Sequence, residues 1–248
     1  MSESSAHRIG VLGAGAWGTA IGKSLAEKDL PVDIWSFEEQ VAAEINAKST
    51  NERYLPGVKL PPLLHASTDI LSVADNREHL LIVIPSLYLL PSIKKILGCV
   101  NIREGRTIIS ILTKGFIETQ SGIRLITEAM EDYLPGMYRG KLVYVSGPSH
   151  AIEVAKGKIT GLISASRSGR NSIKVRELLS GGSLVIFSSL DVRGVQISAA
   201  LKNVVALALI WAHHSHRVGL PGGNVHLGDT EAEQQHRDGQ GQVGHEGN

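Results

Sequence analysis

Residues 8–18 read Arg-Ile-Gly-Val-Leu-Gly-Ala-Gly-Ala-Trp-Gly, and this stretch decides the fold. The apolar segment 9–12 predicts a short buried strand, and residues 19–26 predict a helix. Between the two, the glycines follow the spacing G-x-G-x-x-G. A strand, a glycine turn and a helix in this order are typical of a site for the diphosphate of a dinucleotide.

Each glycine of this pattern has a different expected role. Gly13 permits the tight turn, Gly15 has no Cβ to keep a diphosphate away, and Gly18 lets the helix pack closely on the strand. The helix N-terminus presents free N–H groups and a partial positive charge to the phosphates. An ordinary glycine-rich turn would explain the glycines alone, but the strand before them and the helix after them favour a dinucleotide site.

Length, composition, net charge and cysteine content limit the classes of protein to which the chain can belong. The chain has 248 residues, of which 42% are hydrophobic and 20% charged, so it can form one large or two small domains. A net charge of +1 indicates no nucleic-acid partner. The single cysteine, Cys99, excludes an internal disulfide and suits a reducing compartment. No segment approaches the ~20 apolar residues of a membrane helix, so we expect a cytoplasmic protein without a membrane partner.

The remaining apolar runs predict more strands of the same sheet. They lie at 32–36, 80–84, 107–112 and 142–145, with two more at 159–166 and 184–188 on either side of a polar helix at 170–180. Helical patterns separate most of them, which predicts an α/β fold with a Rossmann-like doubly wound sheet. Several of these strands end in small, polar or basic residues, and ligands of such sheets bind at the carboxyl ends of the strands.

The end of the second strand bears on the choice of coenzyme. A carboxylate for the ribose hydroxyls is expected there, about 20 residues beyond the glycines. The chain has Ser36-Phe37 at this place, with Glu38 and Glu39 at the start of the next helix. Neither a clear ribose carboxylate nor an arginine for a 2′-phosphate is recognisable, so the preference stays open.

The last part of the chain changes character. Asp191 is expected to cap a mostly apolar helix from Val192 to about Ile210. We therefore predict a dinucleotide-binding domain at 1–190, the first helix of a second domain at 191–210 and an irregular or disordered tail at 211–248. The tail is rich in histidine, but no carboxylate or cysteine lies at ligand spacing, so no metal is expected.

A set of motifs now resembles a known family. The set comprises the glycine turn with Trp17, Asn51-x-x-Tyr54-Leu55-Pro56-Gly57, Pro85-Ser86, Thr113-Lys114-Gly115, Ser146-Gly147-Pro148-Ser149-x-Ala151-x-Glu153 and Ala200-Leu201-Lys202-Asn203-Val204. In this order they resemble the NAD(P)-dependent glycerol-3-phosphate dehydrogenases of the bacterial type, over about residues 8–208.

The resemblance implies an activity and a site. The activity would interconvert sn-glycerol 3-phosphate and dihydroxyacetone phosphate with NAD or NADP, in the supply of phospholipid precursors. The implied cofactor contacts are Gly13, Gly15, Ala16, Trp17, Gly18, Phe37, Tyr54, Lys114 and Ala151. The implied substrate contacts are Lys114, Gly147, Ser149, Lys202 and Asn203, with Lys202 as the catalytic acid/base.

The chemistry agrees with a lysine in that role. Reduction of the carbonyl needs a proton donor, and a lysine can serve only if burial or a neighbouring cation lowers its pKa from ~10.4. Lys202 lies in an apolar helix run and Lys114 would be the neighbouring cation. Without the family motif, Lys202 would instead be assigned as a surface lysine with a buried stem, and the motifs around Lys114 and Gly147 as ordinary loops.

The resemblance stops near residue 208. Members of the family continue with a helical substrate domain that supplies an aspartate to the active site and an Arg-Asn pair for the substrate phosphate. Leu227-Gly228-Asp229 lacks the context of that aspartate turn, so no role passes to Asp229. We therefore expect a truncated or frameshifted product, with only the start of the all-helical domain.

The sequence leaves three alternatives for function. The first is a glycerol-3-phosphate dehydrogenase, and the second is a catalytically inactive dinucleotide-binding protein. The third is another dehydrogenase, acting on a hydroxyacid or an acyl thioester. The apolar helix face at 195–209 would be exposed in a truncated chain, which leaves a homodimer open.

Overall fold

The computed structural model of the chain describes residues 8–119 and 122–218. In this part of the chain the strands are β1 Ile9–Leu12, β2 Val32–Trp35, β3 Leu64–Ser67, β4 His79–Ile82, β5 Ile108–Ile111, β6 Phe116–Thr119, β7 Gly122–Leu125, β8 Val143–Ser146, β9 Thr160–Ala165 and β10 Leu184–Ser189. The helices are α1 Ala16–Ala26, α2 Glu39–Lys48, α3 Ile70–Ala74, α4 Ser86–Ile96, α5 Val100–Arg103, α6 Ile126–Glu131, α7 Ala151–Ala155, α8 Gly169–Leu179 and α9 Val192–Val218.

Within the described residues, eight strands form one sheet in the order β10-β9-β8-β5-β4-β1-β2-β3. Its neighbouring strands are parallel, except for β8 and β9, which pair antiparallel. The first strand therefore lies near the middle, between β4 and β2. Because parallel strands end at one edge, the loops after β1, β2, β4, β5 and β8 meet there.

Alternate residues of the central strands supply two separate cores. Val11 and Leu81 face one core, with α1, α2, α7 and α8 packed on that side. Leu12 and Ile82 face the other, with α3, α4, α5 and α6. Helices on both sides make this a doubly wound α/β sheet, as the sequence predicted.

The long helix α9 differs from the prediction at its end. Its start is capped as expected, because Asp191 Oδ1 accepts the Gly194 N–H at 2.8 Å. The helix continues past Ile210 through Val218, the last described residue, so the segment 211–218 is helical instead of irregular. Residues 219–248 of the predicted tail lie outside the described residues.

Two compact units divide the chain, one that ends at Lys202 and one that begins at Asn203. The predicted domain boundaries at 190 and 210 stay a prediction. In the second unit, Leu207, Ile210 and Trp211 are each about two thirds exposed. Among the described residues, no single helix has the length and apolar composition to cross a bilayer, and one broken pair, Val192–Lys202 with Val204–His213, meets that test on length and composition alone.

A buried glutamine anchors the first part of α9. Gln196 is fully buried, and its Nε2 donates to Thr127 Oγ1 at 2.8 Å, while its Oε1 accepts the Thr127 N–H at 3.2 Å. Arg193, on the same helix, forms an ion pair with Glu128 of α6 at 2.7 Å. These contacts fix the first part of α9 against α6, both within the first unit.

We expect Gln196→Ala to lower the free energy of unfolding by about 1–3 kcal/mol, because it leaves the buried Thr127 N–H without a partner. Urea unfolding of the purified chain measures the change. Gln40→Ala, on the exposed face of α2, is the matched control and should change the free energy of unfolding by less than about 0.5 kcal/mol. Equal effects of the two substitutions would contradict the anchoring role of Gln196.

Candidate active site

The glycine turn after β1 has the geometry that each glycine was expected to serve. Gly13 has a φ of +121°, and a Cβ there would lie 2.7 Å from the Val83 carbonyl oxygen. A Cβ on Gly18 would lie 1.8 Å from the Gly13 carbonyl oxygen. The helix α1 can therefore pack this closely against the turn only because residue 18 is a glycine. Among the described residues, nothing lies within 4 Å of the position of a Cβ on Gly15. The space over Gly15 is therefore open to a ligand.

Asn51 braces this turn, a role that the sequence did not reveal. Its side chain is fully buried, and Nδ2 donates to the Ala14 carbonyl oxygen and to Thr19 Oγ1, both at 2.9 Å. Its backbone carbonyl accepts the N–H groups of Tyr54 and Leu55. Asn51 thus ties the loop at 51–57 to the glycine turn.

Three cavities formed by described residues follow one another along the carboxyl edge of the sheet. The first, of about 590 Å³, extends from the glycine turn to the loops after β2 and β4. The second, of about 290 Å³, shares residues 83–85 with the first. The third, of about 420 Å³, shares Lys114 with the second. The shared walls make one track from the glycine turn to α9.

The predicted site residues distribute along this track. The first cavity is lined by Gly13, Gly15, Phe37 and Tyr54, the second by Trp17, Lys114, Ser149 and Ala151, and the third by Lys114, Gly147 and Lys202. Ala16 and Gly18 line none of these three, since Ala16 begins α1 and Gly18 is buried under the turn. Asn203 is the first residue of the second unit, and its role stays a prediction.

A charged cluster lies at the wall of the first cavity. Glu38 accepts a hydrogen bond from the Tyr54 hydroxyl at 2.8 Å through Oε2, and its Oε1 lies 2.8 Å from Arg53 Nη1. The Glu38 carboxylate raises the pKa of Tyr54 because it accepts a hydrogen bond from the protonated hydroxyl. Phe37 beside the cluster is 83% exposed. The sequence indicated no arginine near this place, and the fold brings Arg53 to it from the loop at 51–57.

The third cavity carries two lysines in its wall. Lys114 Nζ donates to the Gly147 carbonyl oxygen at 3.4 Å. Burial lowers the pKa of Lys114, and the positive charge of Lys202 lowers it further. The lowered pKa expected at Lys202 stays a prediction. Lys114, whose own pKa is lowered, lines both the second and the third cavity.

Small residues around Lys114 shape the remainder of this wall. A Cβ on Gly147 would lie 2.5 Å from the Gly161 carbonyl oxygen, so β9 requires a glycine there irrespective of any ligand. Ser149 is 9% exposed, and its hydroxyl lies 3.5 Å from the Gly147 carbonyl oxygen. The Ser146 hydroxyl is buried and finds no hydrogen-bond partner in the described part of the chain. A polar ligand atom in the third cavity would meet two cations and Asp191.

Comparisons with known proteins show which family the chain belongs to. The family described as "NAD-dependent glycerol-3-phosphate dehydrogenase N-terminus" matches residues 8–172. A glycerol-3-phosphate dehydrogenase (NAD(P)+) of Treponema pallidum is 43% identical over 225 residues, which cover 85% of this chain and 63% of that protein. One of Treponema denticola is 44% identical and covers 81% of this chain and 58% of that protein.

Solved structures give the same result. The crystal structure of glycerol-3-phosphate dehydrogenase from Coxiella burnetii matches with a TM-score of 0.71 and 31% identity, over 82% of this chain and 59% of that one. The chain thus spans about three fifths of the length of the relatives that it matches. The expectations of a Rossmann-type α/β fold and of a family that uses NAD(P) are confirmed. By the match over residues 8–172, the chain belongs to the NAD-dependent glycerol-3-phosphate dehydrogenase family.

Proposed function

We propose that this chain binds NAD or NADP along the three cavities and interconverts sn-glycerol 3-phosphate and dihydroxyacetone phosphate. The observation that carries the proposal is the track of three neighbouring cavities from the glycine turn to the two lysines, with Lys114 in the wall of both the second and the third cavity. A residue at that junction can contact a coenzyme on one side and a substrate on the other.

The first two cavities suit a dinucleotide. Gly15 leaves open space at the N-cap of α1, and no described side chain caps that helix, so its first N–H groups are available to a diphosphate. The adenosine would lie toward Phe37 and Tyr54, and the nicotinamide between Trp17 and Ala151. When bound, the reduced coenzyme supplies a hydride to the carbonyl carbon, and the oxidised form accepts it in the reverse direction.

The third cavity suits a phosphorylated ketone. Two ammonium groups, on Lys114 and Lys202, attract the phosphate and stabilise negative charge that develops on the carbonyl oxygen. In reduction, Lys202 gives its proton to that oxygen, and in oxidation it takes the proton back. Gly147, in the wall of this cavity, and Ser149, in the wall of the adjoining second cavity, would position the substrate. A role in phospholipid precursor supply and a cytoplasmic location stay predictions.

The test is oxidation of NADH by the purified chain on addition of dihydroxyacetone phosphate, followed by loss of NADH absorbance. We expect the chain to oxidise NADH with dihydroxyacetone phosphate and not with dihydroxyacetone, which lacks the phosphate. Turnover with a 2-oxoacid instead would favour a different dehydrogenase. Binding of NADH without turnover would overturn the reaction and support a dinucleotide-binding protein.

The pH dependence should reflect Lys114. Only the protonated ammonium attracts the substrate phosphate, so affinity is full below the lowered pKa of Lys114 and falls as pH rises through it. The KM for dihydroxyacetone phosphate should therefore rise at a pH below the ordinary lysine value of 10.5. Lys114→Arg keeps its charge throughout this range and should move the rise to higher pH. An identical KM–pH profile in both proteins would contradict the role of Lys114.

A further inference from the structure

The carboxylate of Glu38, in the wall of the first cavity, already has two partners within the chain. Glu38 directly follows Ser36-Phe37, the position at which NAD-specific sites place a carboxylate for the ribose hydroxyls. Tyr54 and Arg53 each hold one of its oxygens at 2.8 Å. The negative charge that would repel a 2′-phosphate is therefore paired with a guanidinium.

Arg53 is held in place but is not enclosed. Asn51, two residues earlier, is hydrogen-bonded to the glycine turn through Ala14, so the loop has a defined position relative to the diphosphate site. The guanidinium also lies over the Tyr54 ring, 5.4 Å from its centroid. Its side chain is 58% exposed, and its partner Glu38 lines the first cavity. Arginine suits phosphate because its planar fork can donate two parallel hydrogen bonds.

We propose that Arg53 recognises the 2′-phosphate of NADPH, and that its ion pair with Glu38 allows the same site to accept NADH. With NADPH, the exposed edge of the guanidinium binds the phosphate while Glu38 stays neutralised. With NADH, Glu38 and Tyr54 face the ribose hydroxyls and Arg53 remains paired. The inference rests on the proposed function of the track as an NAD(P) site.

The test is a fluorescence titration of the full chain with NADPH and with NADH, in the unchanged protein and in Arg53→Gln. We expect Arg53→Gln to raise the Kd for NADPH about tenfold, the loss of one charge-assisted contact, and to change the Kd for NADH by less than about twofold. Glu38→Gln should act in the opposite direction, with tighter NADPH and weaker NADH, because it frees Arg53 and removes the carboxylate.

Arg106→Gln is the matched control, since Arg106 forms a similarly exposed ion pair with Glu104 at 2.8 Å and lines none of the three cavities. It should change neither Kd. Equal weakening of both coenzymes by Arg53→Gln, or no effect on either, would overturn the role of Arg53 while leaving the proposed function in place. Failure of the unchanged chain to bind either coenzyme would overturn the proposed function and this inference with it.

Discussion

Lys202→Met is expected to lower the rate of dihydroxyacetone phosphate reduction about 10²–10⁴-fold, the usual contribution of a positioned general acid. Methionine keeps a long apolar side chain in the wall of the third cavity and removes only the ammonium group. The proton for the carbonyl oxygen and one of the two positive charges are then lost together. Steady-state kinetics with saturating NADH measure the change.

The affinity for NADH separates this effect from misfolding. Lys202 does not line the first or second cavity, so the Kd for NADH should stay within about twofold of the unchanged chain. Lys174→Met, on α8 and outside all three cavities, is the matched control and should leave both the rate and the Kd unchanged. A Lys202→Met protein that kept most of its rate would contradict the proposal and leave Lys114 as the candidate acid.

The second large effect concerns the glycine turn, where one alanine substitution should lower mainly the stability and another mainly the affinity for the coenzyme. Gly18→Ala should lower the free energy of unfolding by about 3 kcal/mol, because its Cβ would lie 1.8 Å from a backbone oxygen that cannot move freely. Gly15→Ala should lower it by less than about 1 kcal/mol, because the added methyl group enters open space at an N-cap. Urea unfolding distinguishes the two.

Gly15→Ala, which should change the stability little, should weaken coenzyme binding strongly. Its Cβ would occupy the space that a diphosphate needs, so we expect the Kd for NADH to rise about tenfold or more while the protein stays folded. Gly98→Ala, where nothing in the described chain lies within 4 Å of the added Cβ, is the control for both measurements. If Gly15→Ala bound NADH as tightly as the unchanged chain, the diphosphate would have to lie elsewhere.

Much of the fold could be predicted because the buried strands are continuous apolar runs. The segment 80–84, for example, predicts a central strand, and β4 lies between β1 and β5. The sequence does not predict the edge strand β3, because its residues 64–67, Leu-His-Ala-Ser, include only one large apolar side chain. The hairpin of β6 and β7 lies after the motif at Lys114 and carries no hydrophobic run of the parallel-sheet kind.

The candidate site was predictable where a motif is local and not where the fold joins distant segments. The glycine turn can be recognised from the spacing of its glycines, because all three lie within six consecutive residues. Arg53 and Glu38 come from separate loops, and Asn51 ties the loop that carries Arg53 to the glycine turn. No spacing rule connects such residues. The position of Lys114 between two cavities likewise follows from the sheet order and not from its neighbours in sequence.

Titration of the unchanged chain with NADH, followed by calorimetry, tests the central claim that the track along the sheet edge is a dinucleotide site. We expect saturable binding of one NADH per chain, which Gly15→Ala weakens and Gly98→Ala leaves unchanged. Absence of NADH binding to a folded chain, or binding that Gly15→Ala leaves unaltered, would contradict the account.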